Sequence, residues 1–170
     1  MSLRGWAYGV FYGLPARWRR RIIRVIAPKY IVGGVVLVRD AEAAAPGRLL
    51  LLRQPPGVGW SLPAGLLRRG EHAAHGAARE LAEESGVVIS PDDLRPAEPN
   101  AVVHSRGRWV DVVFEASVPA SSAPLRVDGA EVLEAAWHRL DGLPPLTVPT
   151  ARLLAHYGIG PYAEYPEVRE

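Results

Sequence analysis

Between Arg79 and Gly86 the chain reads RELAEESG, which sets Glu80, Glu83 and Glu84 within five consecutive positions beside one arginine. On a helix, residues three and four apart share a face, so these carboxylates are neighbours. Neighbouring carboxylates repel by roughly 3 kcal/mol at an effective dielectric of about 20. Folding does not require that repulsion; a positive partner seated against the cluster would account for it. Several hard carboxylate oxygens converging on one spot suit Mg2+ or Mn2+. Such an ion keeps coordination positions for water and phosphate oxygens, which points to hydrolysis at phosphorus. The competing reading is a solvated helix face with a single ion pair.

The longer stretch GLLRRGEHAAHGAARELAEESGV (65–87) separates the two readings. Gly65, five residues, Glu71, seven residues, then Arg79, Glu80, Leu81, Glu83, Glu84, Gly86 and Val87 resembles the Nudix hydrolase signature, with no position departing from it. The resemblance, which extends over residues 30–157, implies an α/β fold, a Nudix-like α/β/α sandwich with a mixed sheet flanked by helices. It implies a Mg2+- or Mn2+-dependent enzyme cleaving the pyrophosphate linkage of a nucleoside diphosphate derivative. Under it, Glu80, Glu83 and Glu84 are metal ligands, and the main-chain carbonyl of Ala64 joins them. A further carboxylate is expected outside the box. Glu131, six residues before Trp137, fits that place, with Glu134 and Glu115 as competitors. The resemblance implies Glu80, Glu84, Glu131 and Arg79 as the catalytic residues, Glu131 also as a metal ligand, with one of Glu80, Glu83 and Glu84 taking a proton from the attacking water. Arg79 would hold a box glutamate in position. Glu71 would support the helix start or reach the metal and substrate through water, and Arg53 would touch substrate phosphate.

Substrate identity stays open. The proline that marks ADP-ribose hydrolases in the family would fall at Ala101, and the tyrosine that marks diadenosine polyphosphate hydrolases at Val103. Nucleoside triphosphates, oxidised nucleotides and nucleotide sugars such as ADP-ribose all remain. The alternative is a non-catalytic Nudix-like domain that senses a nucleotide or binds a membrane or partner. Trp60 and Trp109 each offer a face for stacking on a base, although tryptophans in small domains more often serve the core. His72 and His75 are spaced i, i+3 like zinc ligands but have no third ligand at a metal-site spacing. His104 and His138 fall on expected strands, where either can line a pocket.

These side chains need a scaffold. KYIVGGVVLVRD reads as a doubly buried strand in which Gly33 and Gly34 permit close approach, and RLLLLRQ (48–54) as its hairpin partner. PPGVGWSLPAG (55–65) carries three glycines and three prolines and reads as an irregular loop. A helix is expected from Glu71 to Ser85, stopped by Gly86. NAVVHSRGRWVDVVFEASV (100–118) reads as a hairpin around SRGR, and LEAAWHRL (133–140) as another strand with Trp137 inward. Thr147 and Pro149 open a closing helix that ends at Gly158.

Three segments follow: a basic N-terminal helical arm (1–29), a catalytic domain (30–160) and a tail (161–170). Within the arm, residues 14–28 form a basic amphipathic helix ended by Pro28. The arm holds Arg4, Arg17, Arg19, Arg20, Arg21, Arg24 and Lys29 and no acid, a charge of +7; since the whole chain is +2, the rest carries −5. The net charge is thus no sign of a nucleic-acid footprint, and no specific nucleic-acid binding is expected. The arm packs on the domain or on a second subunit in a homodimer, or lies on an anionic membrane. No cysteine is present, which excludes disulfides and cysteine-ligated zinc. The longest apolar run, 30–38, is too short to span a bilayer, and the arginines follow the N-terminal apolar stretch, the reverse of a secretory signal. A cytoplasmic protein acting on a small nucleotide substrate is the expectation.

Overall fold

The computed structural model describes residues 2–104 and 107–165. Ser105 and Arg106 of the expected SRGR turn, and tail residues 166–170, lie outside the described residues. The chain divides into two units, Met1–Tyr30 and Ile31–Glu170.

The longest apolar run becomes strand β1 (Ile31–Asp40), the spine of the larger unit. It pairs in parallel with β6 (Trp109–Val118) along its whole length, from Ile31 opposite Trp109 to Asp40 opposite Val118. β5 (Arg95–His104) runs antiparallel to β6 and forms one edge. On the other side of β1 lies β2 (Arg48–Arg53). The expected β1–β2 hairpin forms only near its turn, where Arg39 faces Leu49. Beyond that pair the strands part, because each finds another partner. β4 (Ala64–Leu66) occupies the first half of β1, and β7 (Glu134–Arg139) pairs with all six residues of β2. β3 (Trp60–Ser61) pairs with the end of β2, completing a mixed seven-stranded sheet. The segment 55–65 is therefore not wholly irregular: its glycines and prolines bracket short strands that the sheet recruits.

Side chains alternate across the sheet, as strand geometry requires. Val36, Val38 and Leu50 face helix α3 (Ala73–Ser85) through Ala77, Ala78 and Leu81. Val35, Leu37, Leu49 and Leu51 face the opposite side, where helix α4 (Val148–Ala155) supplies Leu153 and Leu154. A continuous apolar run such as LLLL is thus divided between two cores. The layers are helix, sheet and helix, as the expected sandwich requires.

Helix α3 begins at Ala73, two residues later than expected, so Glu71 precedes it. The helix ends on Gly86, whose φ of +77° is a left-handed conformation that favours glycine. Thr147 caps α4 by accepting a hydrogen bond from the Thr150 amide. The chain after α4 is docked at first: Ile159 is buried in the core beneath that helix.

Asp40 closes the far end of β1. Its buried carboxylate accepts hydrogen bonds from the Glu42 and Ala120 amides, each at 3.0 Å, and from Arg48 Nε at 2.8 Å. Burial alone would raise its pKa, but these bonds together hold it below the usual 3.8. Asp40→Ala leaves the donors without their acceptor and is expected to cost about 2 kcal/mol at neutral pH by denaturant melts. Because the folded pKa is depressed, the stabilisation is full above pH 3.8 and is lost as pH falls through the folded value. The gap between wild type and variant should close over that acid range.

The smaller unit holds helices α1 (Leu3–Gly13) and α2 (Ala16–Ile26). Helix α2 was expected. Helix α1 was not, because three glycines at positions 5, 9 and 13 mask its helical pattern. Ser2 caps it, accepting from the Gly5 amide at 3.2 Å. Among the described residues no helix is long and apolar enough to cross a membrane.

Candidate active site

Helix α3 grades the three glutamates by depth. Ala77, Leu81 and Glu84 recur at helical spacing on the side that faces the sheet, so Glu84 is buried with them. The Glu80 side chain is 18% exposed and that of Glu83 52% exposed. Glu84 Oε1 accepts from Gln54 Nε2 at 2.8 Å, and Oε2 accepts from the Ala64 amide at 2.9 Å. Gln54 Oε1 in turn accepts from Ser61 Oγ at 3.2 Å, a hydroxyl that can equally accept should the amide turn over. Burial pushes the Glu84 carboxyl up to about 7 against those bonds, and the charges of Glu80 and Glu131 push the same way.

Arg79 clasps the rest. Its Nε and Nη2 bind the two oxygens of Glu71 at 2.9 and 3.0 Å, and its Nη1 reaches Glu80 at 2.7 Å and Glu83 at 3.1 Å. Nη2 also reaches the Leu66 carbonyl at 3.2 Å, tying helix to loop. Arg79 first, and the Arg68 amide second, hold Glu71 down to about pKa 2. With both oxygens engaged by Arg79 and the Arg68 amide, Glu71 braces the loop ahead of the helix, in line with the support of the helix start expected of it.

Gly65 makes room for this arrangement. A Cβ there would overlap the Glu80 carboxylate. That carboxylate ends a flexible side chain, so Gly65→Ala should fold but swing Glu80 off its station. Turnover is expected to fall roughly 10- to 100-fold with little change in Tm, measurable by steady-state kinetics beside a thermal melt.

The residues expected outside the box are placed unequally. Glu131 sits in a turn organised by Asp128 Oδ1, which accepts from the amides of Ala130, Glu131 and Val132, and its charge is felt at Glu84. Its competitor Glu134 is paired with Arg53 at 2.7 Å. Arg53, expected to meet substrate phosphate, thus already has a carboxylate partner and lies 5.9 Å from the Trp60 ring centre. Trp60, half-buried, packs on the core with its ring centre 4.3 Å from that of His138 and the two rings steeply inclined. His72 and His75 are set edge to face, their ring centres 5.7 Å apart.

Among the described residues no three His, Asp or Glu side chains already converge as a ready metal cage. The donor set nevertheless suits a hard divalent cation. Glu84 is a buried carboxylate whose neighbours Glu80 and Glu131 repel its charge, and a cation relieves what a proton otherwise must.

A cleft of about 580 Å³ opens beside this cluster, between β3, β6 and α4. Gln54 and Ala64, the two partners of Glu84, form part of its wall. Its far side carries Asp111, which accepts a hydrogen bond from Trp109 Nε1 and lies 2.9 Å from His104 Nε2. Gly33 permits this, since a Cβ there would stand 3.2 Å from both Asp111 and Trp109. Sequence reasoning passed over Gln54 and Asp111. The only local signal was a polar side chain just past a strand end for the first and an acid inside a β run for the second.

The NUDIX domain family matches residues 29–157, three quarters of the chain, and the chain belongs to that family. The human protein named 8-oxo-dGDP phosphatase NUDT18 is 28% identical over 134 residues, 76% of this chain and 36% of its own length. A MutT-like protein of Streptomyces ambofaciens is 40% identical over 63 residues, 37% of this chain and 37% of its own. The chain therefore spans little more than a third of the length of these curated relatives. Among solved structures, the MutT NUDIX hydrolase from Burkholderia pseudomallei aligns with a TM-score of 0.56 at 27% identity, covering 72% of this chain and 93% of that one.

Proposed function

We propose that this chain is a divalent-cation-dependent pyrophosphohydrolase of nucleotide derivatives that works in the cytoplasm, where such substrates are made. The observation that carries the reading is the shared wall: Gln54 and Ala64 line the cleft and also hold Glu84. A nucleoside filling that volume, which is in the range of small-molecule sites, directs its phosphates onto the box carboxylates. Glu80, Glu83, Glu84 and Glu131 would hold Mg2+ or Mn2+, with the Ala64 peptide beside them. The ion, when bound, would neutralise diphosphate charge and acidify the attacking water. Glu84, whose carboxyl burial pushes up to about 7, would accept a proton from the attacking water as the bond to phosphorus forms. Arg79 keeps Glu80 and Glu83 on station, and Asp111 with His104 gives the cleft a polar floor for the nucleoside edge.

The name of the human relative makes oxidised guanine nucleotides the first compounds to assay, with canonical triphosphates and ADP-ribose beside them. Phosphate or pyrophosphate release that needs Mg2+ or Mn2+ and stops on chelation is the expected result. Binding across such a panel by thermal shift, with no turnover under any of these ions, would instead favour a nucleotide sensor.

A further inference from the structure

Helix α2 sorts its residues more cleanly than any other helix here. Trp18, Ile22, Val25 and Ile26 recur at i, i+4, i+7 and i+8, one continuous stripe. Arg17, Arg20, Arg21 and Arg24 recur at i, i+3, i+4 and i+7 on the adjoining side. None of its side chains is buried, and Val25 and Ile26 are 82% and 72% exposed. The helix before it adds Trp6, Tyr8 and Tyr12, each more than half exposed. Arginine and aromatic rings are interleaved: Arg21 lies 5.2 Å from the Trp18 ring centre and Arg19 lies 5.7 Å from that of Tyr12. At eleven residues, α2 is roughly 16 Å long and too short to span a bilayer.

We propose that residues 2–27 are an interfacial anchor, with α2 lying flat on an anionic lipid surface. Its apolar stripe enters the acyl boundary, its arginines meet lipid phosphates, and the tryptophans and tyrosines sit at headgroup level. The charge argues for an anionic surface, because this segment carries six arginines and no acid. The stripe argues for lipid over nucleic acid. A polyanion in water would engage the arginines and leave Ile22, Val25 and Ile26 facing solvent, whereas a membrane uses both sides at once. This inference does not depend on the catalytic reading.

Vesicle sedimentation of the full chain tests it. Phosphatidylcholine vesicles containing phosphatidylglycerol should carry the protein down at low salt, and pure phosphatidylcholine should carry down far less. The variant R20Q/R21Q/R24Q should partition onto the anionic vesicles roughly a hundred-fold more weakly. I22Q/I26Q, which keeps every charge, should also be released, and both variants should retain the parent's Tm. Equal pelleting with and without vesicles would overturn the proposal, as would binding indifferent to phosphatidylglycerol or to the three arginines. So would a parent dimer in the absence of lipid that I22Q/I26Q dissociates, since the stripe would then be a self-association surface.

Discussion

Glu84→Gln is expected to lower kcat by roughly a thousand-fold or more while leaving the fold intact or steadier. The glutamine is isosteric and can still accept from the Ala64 amide, and the Gln54 amide can turn to accept from it. What disappears is a negative charge buried against Glu80 and Glu131. Removing it takes away a cation ligand and proton acceptor, and it also takes away a repulsion that the cation-free fold must bear. The stability effect has a definite sign. The folded carboxyl titrates at about 7 and an unfolded one near 4.5, so between those values the native state holds the extra proton. In chelator the wild type should lose stability as pH rises across that window, and the glutamine variant should not. Kinetics with Mg2+ and melts in EDTA between pH 4 and pH 8, a range set by those two values, provide the check. Full turnover in the variant would remove Glu84 from the chemistry altogether.

Gly34→Val is expected to damage the scaffold itself. A Cβ at residue 34 would stand 3.0 Å from Ala77 Cβ and 3.1 Å from the Ala77 amide nitrogen, so it meets helix backbone that cannot rotate aside. Valine adds two methyl groups to that contact and must push α3 off the sheet. The cost is about 3 kcal/mol, a fall in Tm of roughly 6–12 °C. Because α3 carries Glu80, Glu83 and Glu84, activity should drop at temperatures where the variant is still folded. Adding Ala77→Gly removes one side of the clash and should return part of the lost Tm. A double variant no better than Gly34→Val would mean that the strain lies elsewhere.

Much of this was legible in the chain itself. Nine positions from Gly65 to Val87 located the carboxylates and the clasping arginine, because a helix converts spacing directly into a shared face. Gly86 and Thr147 marked helix ends, since a left-handed turn and a side-chain cap need particular residue types. The strands of the 30–53 region were also visible, but their pairing was not. Leu49 to Leu52 are apolar without interruption, so nothing in their pattern says which face meets α3 or that β7, more than eighty residues later, will displace most of the expected hairpin.

What the amino-acid order settled alone was local chemistry: the acidic cluster, its family, the basic arm and the periodicity of α2. Tertiary structure alone decided which distant groups meet that cluster. Gln54 reaches Glu84 across thirty positions, Glu134 goes to Arg53 and leaves Glu131 to bear on the glutamates, and Trp60 packs half-buried against the core. The reason is physical. Helical spacing and caps act over a few residues and are written in them, whereas a cleft between a sheet edge and a helix exists only once the layers have packed.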